Sequence, residues 1–303
     1  MRNGKISNFA QMASLRRYVL ADGTAKGLEV IDCDNGKIRF LLSVNNALDI
    51  MQLYHEGQNM SFLSKNAFVA GDMPFLNRFE GGMLYTCGLD NAGRRDGYVM
   101  HGSLHLKTAL IVRAECNDEE IIVEGIVRDS ALFGQNLVLR RTYRTKIGSG
   151  TVELVDVIVN EAYVDGEYCL LYHTNVGYPM LDEGAKVCFD ADMVYPCDEW
   201  SEKNLFRLHE VSEPTAGEAE TCYYMDLKTP CVRVVNEKLG KQFTVCYSAD
   251  TLPQFLLWKS FACGDYALGI EPCTSRIGGA LEMKKIGAQE KKVHCLTISV
   301  ENM

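Results

Sequence analysis

The sequence predicts an all-β protein, a large antiparallel sandwich or barrel with few short helices. Two observations carry this expectation. Short β-branched runs recur along the whole chain, each bounded by turn residues. Within several runs the apolar residues fall at every second position, the pattern of a sheet with one buried face. Spread over 303 residues, that many hairpins imply a large antiparallel assembly.

Taken in order, NFAQMASLRRY places Phe9, Met12 and Leu15 at roughly helical spacing and predicts one short N-terminal helix. GLEVIDC-DNG-KIRFLLSV reads as a hairpin, with Asn35-Gly36 suited to positive φ at its turn. LDIMQLYHEGQNMSFL repeats the plan around Glu56-Gly57. ALIVRAECNDEEIIVEGIV turns at Asn117-Asp118, and LVLRRTYRTKIGSGTVELVDVIVN alternates on both sides of Gly148-Ser149-Gly150. SEKNLFRLHEVSEPTAGEAE is polar and irregular, a long loop of the kind that tends to be functional or mobile. CVRVVNEKLGKQFTVCYS is a further hairpin and KKVHCLTISVE a final strand. No repeat of fixed period and no shift of composition marks a boundary. We therefore expect a single domain over residues 1–303, with 1–24 as an N-terminal extension carrying the short helix.

Composition narrows the function. The net charge of −9 argues against nucleic-acid or anionic-membrane binding, since both need a basic face, while leaving room for a local basic pocket. None of the 12 cysteines forms a C-x-x-C pair, and many lie in apolar runs, which predicts buried free thiols in a reducing cytoplasm. MRNGKISNFAQM has no apolar h-region, and no apolar run reaches the ~18 residues of a membrane helix. No phosphate-binding loop, dinucleotide fingerprint or nucleophile elbow occurs, so no cofactor is expected.

Four places break the strand rhythm with polar residues. FLNRFEGGMLYTCG carries Arg78 beside a glycine pair. NAGRRDGYVMHGSLHLK carries His101 after a glycine-rich loop. YHTNVGYPML carries His173 and Asn175, where a buried strand has no need of an imidazole, an amide and two backbone breakers. WKSFACGDYALGIEPCTSR carries Lys259 and Glu271. Glycines beside a charged group let backbone and ligand approach closely. Pro272 predicts that Glu271 sits at a strand end, because proline gives no ladder hydrogen bond. Taken singly, each has a plain structural reading: an ion-paired arginine, a satisfied histidine, a snorkelling lysine. His101 and His105 could share a metal on a helix. On a strand they lie about 13 Å apart at roughly 3.3 Å per residue, so no metal is expected.

In their order, these polar breaks resemble the aldose 1-epimerase family, in a less characterised branch of the galactose-mutarotase-like superfamily. The resemblance runs from about residue 25 to the C-terminus. It rests on Asn77-Arg78, then His101-Gly102, then the His173 segment, then Glu271, with KKIGAQEKKVHCLTISV similar to the family's closing strands. It implies a β-supersandwich whose broad trough holds a sugar. It also implies Glu271 as base and His173 as acid, with Arg78 and His101 binding hydroxyls or polarising the ring oxygen. Asn175 and Lys259 join them as substrate-binding candidates.

The expected activity is therefore α/β anomer interconversion of a monosaccharide or a derivative, by acid–base ring opening and closure. The acid and base are expected on opposite sides of the sugar ring, with pKa values near the working pH. One alternative is a hexose-phosphate 1-epimerase, with Arg94, Arg95 and Lys259 as phosphate-site candidates. Another is a carbohydrate-binding or sugar-sensing protein without turnover. A glycosidase needs two carboxylates and the sequence offers one, so that reading ranks lowest. The expected partner is a small sugar, and open sheet edges leave room for a homodimer.

Overall fold

Turn residues stand where the alternating runs reverse, and they set the hairpins of a computed structural model described for residues 4–71, 73–277 and 281–303. Strands β1 (Ser14–Val19), β2 (Glu29–Asp34), β3 (Ile38–Ser43), β4 (Asp49–His55) and β5 (Gln58–Asn59) form a five-stranded meander. Gly36 turns β2 into β3 with φ 88°, where a side chain is disfavoured. A one-turn helix, α1 (Phe75–Arg78), precedes β6 (Leu84–Leu89). Then come β7 (Leu110–Cys116), β8 (Glu120–Ser130), β9 (Asn136–Lys146), β10 (Thr151–Asn160), β11 (Gly166–Val176), β12 (Lys186–Cys188) and β13 (Ala191–Pro196). After helix α2 (Glu199–Lys203) the chain continues through β14 (Thr221–Leu227), β15 (Cys231–Asn236), β16 (Lys241–Tyr247), β17 (Gln254–Ala262), β18 (Asp265–Cys273), β19 (Lys284–Ile286) and β20 (Lys291–Asn302).

Two large sheets follow. One has the order β12-β15-β16-β20-β10-β9-β8-β7. The other runs β13-β14-β17-β18-β11-β19, with β6 also paired to β11. Their strand ladders are antiparallel. The core lies between them. Leu139, Leu154, Phe243 and Ile298 come from the first sheet, and Tyr172, Leu257, Leu268 and Ile270 from the second. Each fully buried side chain of this size contributes roughly 1.5–3 kcal/mol. The second sheet also buries residues on its other face, where Tyr85, Cys87, Leu171, Tyr224, Leu256 and Cys273 form a separate cluster.

A charged network pins the layers together. Arg141 of β9 chelates Asp156 of β10 through Nε and Nη2, at 2.9 and 2.7 Å, and its Nη1 donates to Asp49 of β4. Tyr172 of β11 donates to Asp156 at 2.8 Å. His105 contacts Asp49 through Nδ1 and Glu80 through Nε2, both at 2.7 Å. Although burial opposes its charge, the two carboxylates raise His105 to about 9.

Three expectations need correction. Phe9–Gln11 forms only a single 3₁₀ turn, and Leu15 lies in β1, because the backbone from Ser14 onward pairs with β2. Ten cysteines are free, but Cys231 and Cys246, opposite each other across β15 and β16, are joined in a disulfide. Pro272 does not end its strand: β18 is interior to its sheet and stays paired with β17 through Cys273. Among the described residues no helix is long and apolar enough to cross a membrane.

Candidate functional site

One cross-strand row builds the site on the outer face of the second sheet. Tyr85 of β6 pairs with His173 of β11. The pairs Leu171–Cys273 and Thr174–Ile270 fix β11 against β18, and that register places His173 opposite Glu271. Glu271 pairs with Leu256 of β17, Leu256 with Tyr224 of β14, and Tyr224 with Tyr195 of β13. The β11–β18 pairing lapses between its two fixed points, where Pro272 has no N–H to give.

His173 Nε2 lies 3.3 Å from Glu271 Oε1. The two meet as close neighbours without hydrogen-bond alignment: neither Oε1 nor His173 Nδ1 has a hydrogen-bond partner among the described residues. Both side chains are buried, at 7% and 1% exposure. Burial pushes the Glu271 carboxyl well above its ordinary value, and the nearby Glu220 adds to this. Burial lowers His173 to about 3, with His101 contributing. Burial thus favours the uncharged form of each group, the carboxylic acid and the neutral imidazole.

Rings wall the cavity above this pair, whose volume is about 390 Å³. Trp258 meets the His173 ring edge-on at 5.3 Å and Phe79 lies 5.5 Å from it. Trp258 Nε1 donates to Glu220 at 2.7 Å, so this carboxylate stands at the cavity with its orientation fixed. His101 reaches the cavity from the loop before β7. Its φ is +63°, and the next residue must be glycine: a Cβ on Gly102 would sit 2.3 Å from the Asn91 carbonyl oxygen and 2.5 Å from that of Gly88. The His101 ring lies 5.9 Å from His173 and 4.8 Å from Phe75. Burial, and then Arg78, lower it to about 4. Arg78 donates from Nη1 to Tyr85 Oη at 2.9 Å, while its buried Nε and Nη2 have no hydrogen-bond partner among the described residues.

The structure thus brings Glu271, His173, His101 and Arg78 together. Asn175 lies behind the cavity, fully buried, its amide nitrogen committed to the carbonyls of His173 (3.0 Å) and Gly81 (3.3 Å). Lys259 is apart. One residue beyond Trp258, it projects from the opposite face of β17, and Nζ donates to the carbonyls of Arg207, Leu208 and Glu210. Trp258 and Glu220 escaped the sequence reading. Strand parity with Leu256 could have assigned Trp258 to the site face, whereas nothing local marks Glu220. Among the described residues no group of three His, Cys, Asp or Glu side chains converges as a metal site would require. A larger cleft of about 720 Å³, lined by Asp129, Phe133 and Asp165 among others, contains no histidine.

Solved structures share this fold. A Klebsiella pneumoniae protein, provisionally assigned as an aldose 1-epimerase, superposes with a TM-score of 0.85 at 22% identity, over 97% of this chain and 86% of that one. A galactose mutarotase-like protein of Clostridium acetobutylicum gives 0.72 at 13% identity, over 97% and 100% of the two chains. A Salmonella typhimurium protein, provisionally a mutarotase, gives 0.68 at 13% identity, over 95% and 94%. A search of curated proteins found no match. The family whose model matches residues 25–299 is described as a domain of unknown function (DUF4432), and the chain, built on the galactose-mutarotase-like fold, belongs to it.

Proposed function

We propose that the protein is an aldose 1-epimerase that interconverts the α and β anomers of a sugar by acid–base ring opening. The observation that carries this reading is the His173–Glu271 pair, 3.3 Å apart beneath a ring-walled cavity of about 390 Å³. That volume lies within the ~300–1,000 Å³ range of small-molecule sites.

The geometry alters the expected arrangement. An acid and a base in contact leave no room for a sugar ring between them. They suit two oxygens on one carbon instead. The anomeric hydroxyl and the ring oxygen are both bonded to C1, so they lie closer together than the pair itself. Neutral His173 takes the proton of the anomeric hydroxyl as the C1 carbonyl forms. The C1–O5 bond breaks, its electrons pass to the ring oxygen, and that oxygen takes the Glu271 proton. The imidazolium and carboxylate so formed are adjacent and stabilise each other. After rotation about C1–C2 the hydroxyl adds to the other face of C1, and both protons return. For the first half-reaction Glu271 is the acid and His173 the base, the reverse of the roles the resemblance implies. Trp258 and Phe79 fix the imidazole plane.

The test is two-dimensional exchange NMR on a panel of sugars with wild type, Glu271→Gln and His173→Asn. Each variant should lose about 10²–10⁴-fold of the exchange rate while staying folded. Folded variants that exchange anomers as fast as wild type would refute the assignment.

A further inference from the structure

The cross-strand row that holds the reacting pair continues past it, and there it turns apolar. Glu271 pairs with Leu256 of β17, and Leu256 with Tyr224 of β14. Neighbouring strands lie about 4.8 Å apart, so Leu256 stands one such step beyond Glu271, on the side away from His173. Leu256, Tyr224 and Ile277 all line the cavity. Leu256 is 4% exposed and belongs with Tyr224 to the apolar cluster on this face. The Tyr224 hydroxyl is already committed: it donates to the Ile277 carbonyl at 2.8 Å and accepts the Ile277 N–H. These three side chains therefore offer a ligand no free donor.

The free polar atoms of the cavity belong to other residues. His101 Nδ1 meets Cys87 Sγ at 3.3 Å, which leaves Nε2, and the His101 ring lies 5.9 Å from that of His173. Glu220 Oε2 is held by Trp258 Nε1, which leaves Oε1. Arg94 also lines the cavity and is exposed.

The proposed chemistry lays a sugar along the row. His173 takes the proton of the anomeric hydroxyl, and Glu271 gives one to the ring oxygen. That oxygen is bonded to C5, and C5 carries C6. The order O1, C1, O5, C5, C6 thus runs in the direction His173, Glu271, Leu256, and C6 is the atom that reaches the apolar end. A hydroxyl on C6 would be buried there without an acceptor or donor of its own, which is costly. A methyl group would instead gain from the burial.

We infer, on the epimerase reading of the same site, that the substrate is a 6-deoxyhexose whose methyl group sits against Leu256, Tyr224 and Ile277.

Matched sugars test this. The series are D-galactose, D-fucose and L-arabinose; L-galactose, L-fucose and D-arabinose; and L-mannose, L-rhamnose and L-lyxose. Within each, C5 carries a hydroxymethyl group, a methyl group or hydrogen alone. Anomer exchange is followed by NMR and binding by thermal shift, for wild type, Leu256→Asn and Ile277→Asn. In at least one series the 6-deoxy sugar should exceed both its hydroxylated parent and the pentose in kcat/KM, by about 10- to 10²-fold. An amide in place of either apolar side chain gives the C6 hydroxyl a partner, so a folded variant should lose most of that preference. A preference that both folded variants keep would place the methyl group elsewhere and overturn the assignment. If the parent or the pentose exchanges as fast as the 6-deoxy sugar in every series, the methyl seat fails and the epimerase reading survives. If no sugar exchanges, yet a 6-deoxy sugar stabilises wild type more than its parent does, the epimerase reading fails and the apolar seat stands. If none is exchanged or bound, both fail.

Discussion

Glu271 has room for its carboxyl because Gly269, two residues earlier on the same strand face, carries no side chain. A Cβ there would meet Glu271 Oε1 at 2.2 Å and the Trp258 side chain at 3.1 Å. The backbone of Gly269 has no positive φ, so Gly269→Ala is tolerated by the strand; it displaces the carboxyl, and the Trp258 side chain gives by a few tenths of an ångström. Moving a reacting group by about 1 Å can cost about 10²-fold in rate, and we expect that loss of anomer exchange with little change in melting temperature. Exchange NMR beside a thermal melt checks both. A variant that exchanges at the wild-type rate would show that Glu271 is not held where the chemistry needs it. Glu271 and His173 stood out as candidates in the sequence because Glu271 precedes Pro272 and His173 opens a run that reaches Gly177 and Pro179 within six residues. Glu220 did not, because its role comes from Trp258, 38 residues away, and no local pattern reports such a contact.

At the scale of elements, β17 shows how parity divides labour. Leu256 and Trp258 face the site, while Lys259 turns inward and holds the carbonyls of Arg207, Leu208 and Glu210 at 2.8, 3.0 and 3.0 Å. The segment from 201 to 220, expected as an irregular loop, is thereby anchored by Lys259, beside backbone bonds such as Thr215 N to the Phe261 carbonyl at 2.8 Å and Val187 N to the His209 carbonyl at 2.9 Å, and its last residue orients Trp258. Lys259→Met keeps the apolar stem and leaves three carbonyls without their donor. Hydrogen bonds to charged groups contribute about 1.5–3 kcal/mol, so a destabilisation of that order is expected, with faster proteolytic cleavage between residues 201 and 220. Unchanged cleavage and melting would mean that the segment holds itself. The hairpins were readable because their signals are local: a period of two, then a turn. The N-terminal helix was misread because pairing of Ser14–Val19 with β2 outweighs a weak three-residue apolar spacing.

For the whole molecule, the buried titratable groups give two pH dependences of opposite sign, and neither was visible in the sequence, since partners such as Asp49 and Arg141 are 92 residues apart. His173, His101 and His294 are held down to about 3, 4 and 4 by burial, and His55 is lowered as well. Below the ordinary histidine value of about 6.5 the unfolded chain binds protons that the fold refuses, so stability falls as the solution is acidified. Glu271 opposes this from about 4.5 upward, because the fold keeps a proton that the unfolded chain releases, but it is one group against four. Above 6.5 the balance turns. His105, raised to about 9, stays protonated in the fold after the unfolded chain has lost that proton, so stability falls as pH rises. Melting temperature, followed by circular dichroism at fixed ionic strength, should therefore peak near pH 6.5 and decline toward both about 4.5 and about 8. Glu271→Gln removes the group that opposes the histidines on the acid side and should steepen that arm above about 4.5. A melting temperature that climbs steadily from 6.5 to 8 would mean that His105 is not charged between Asp49 and Glu80.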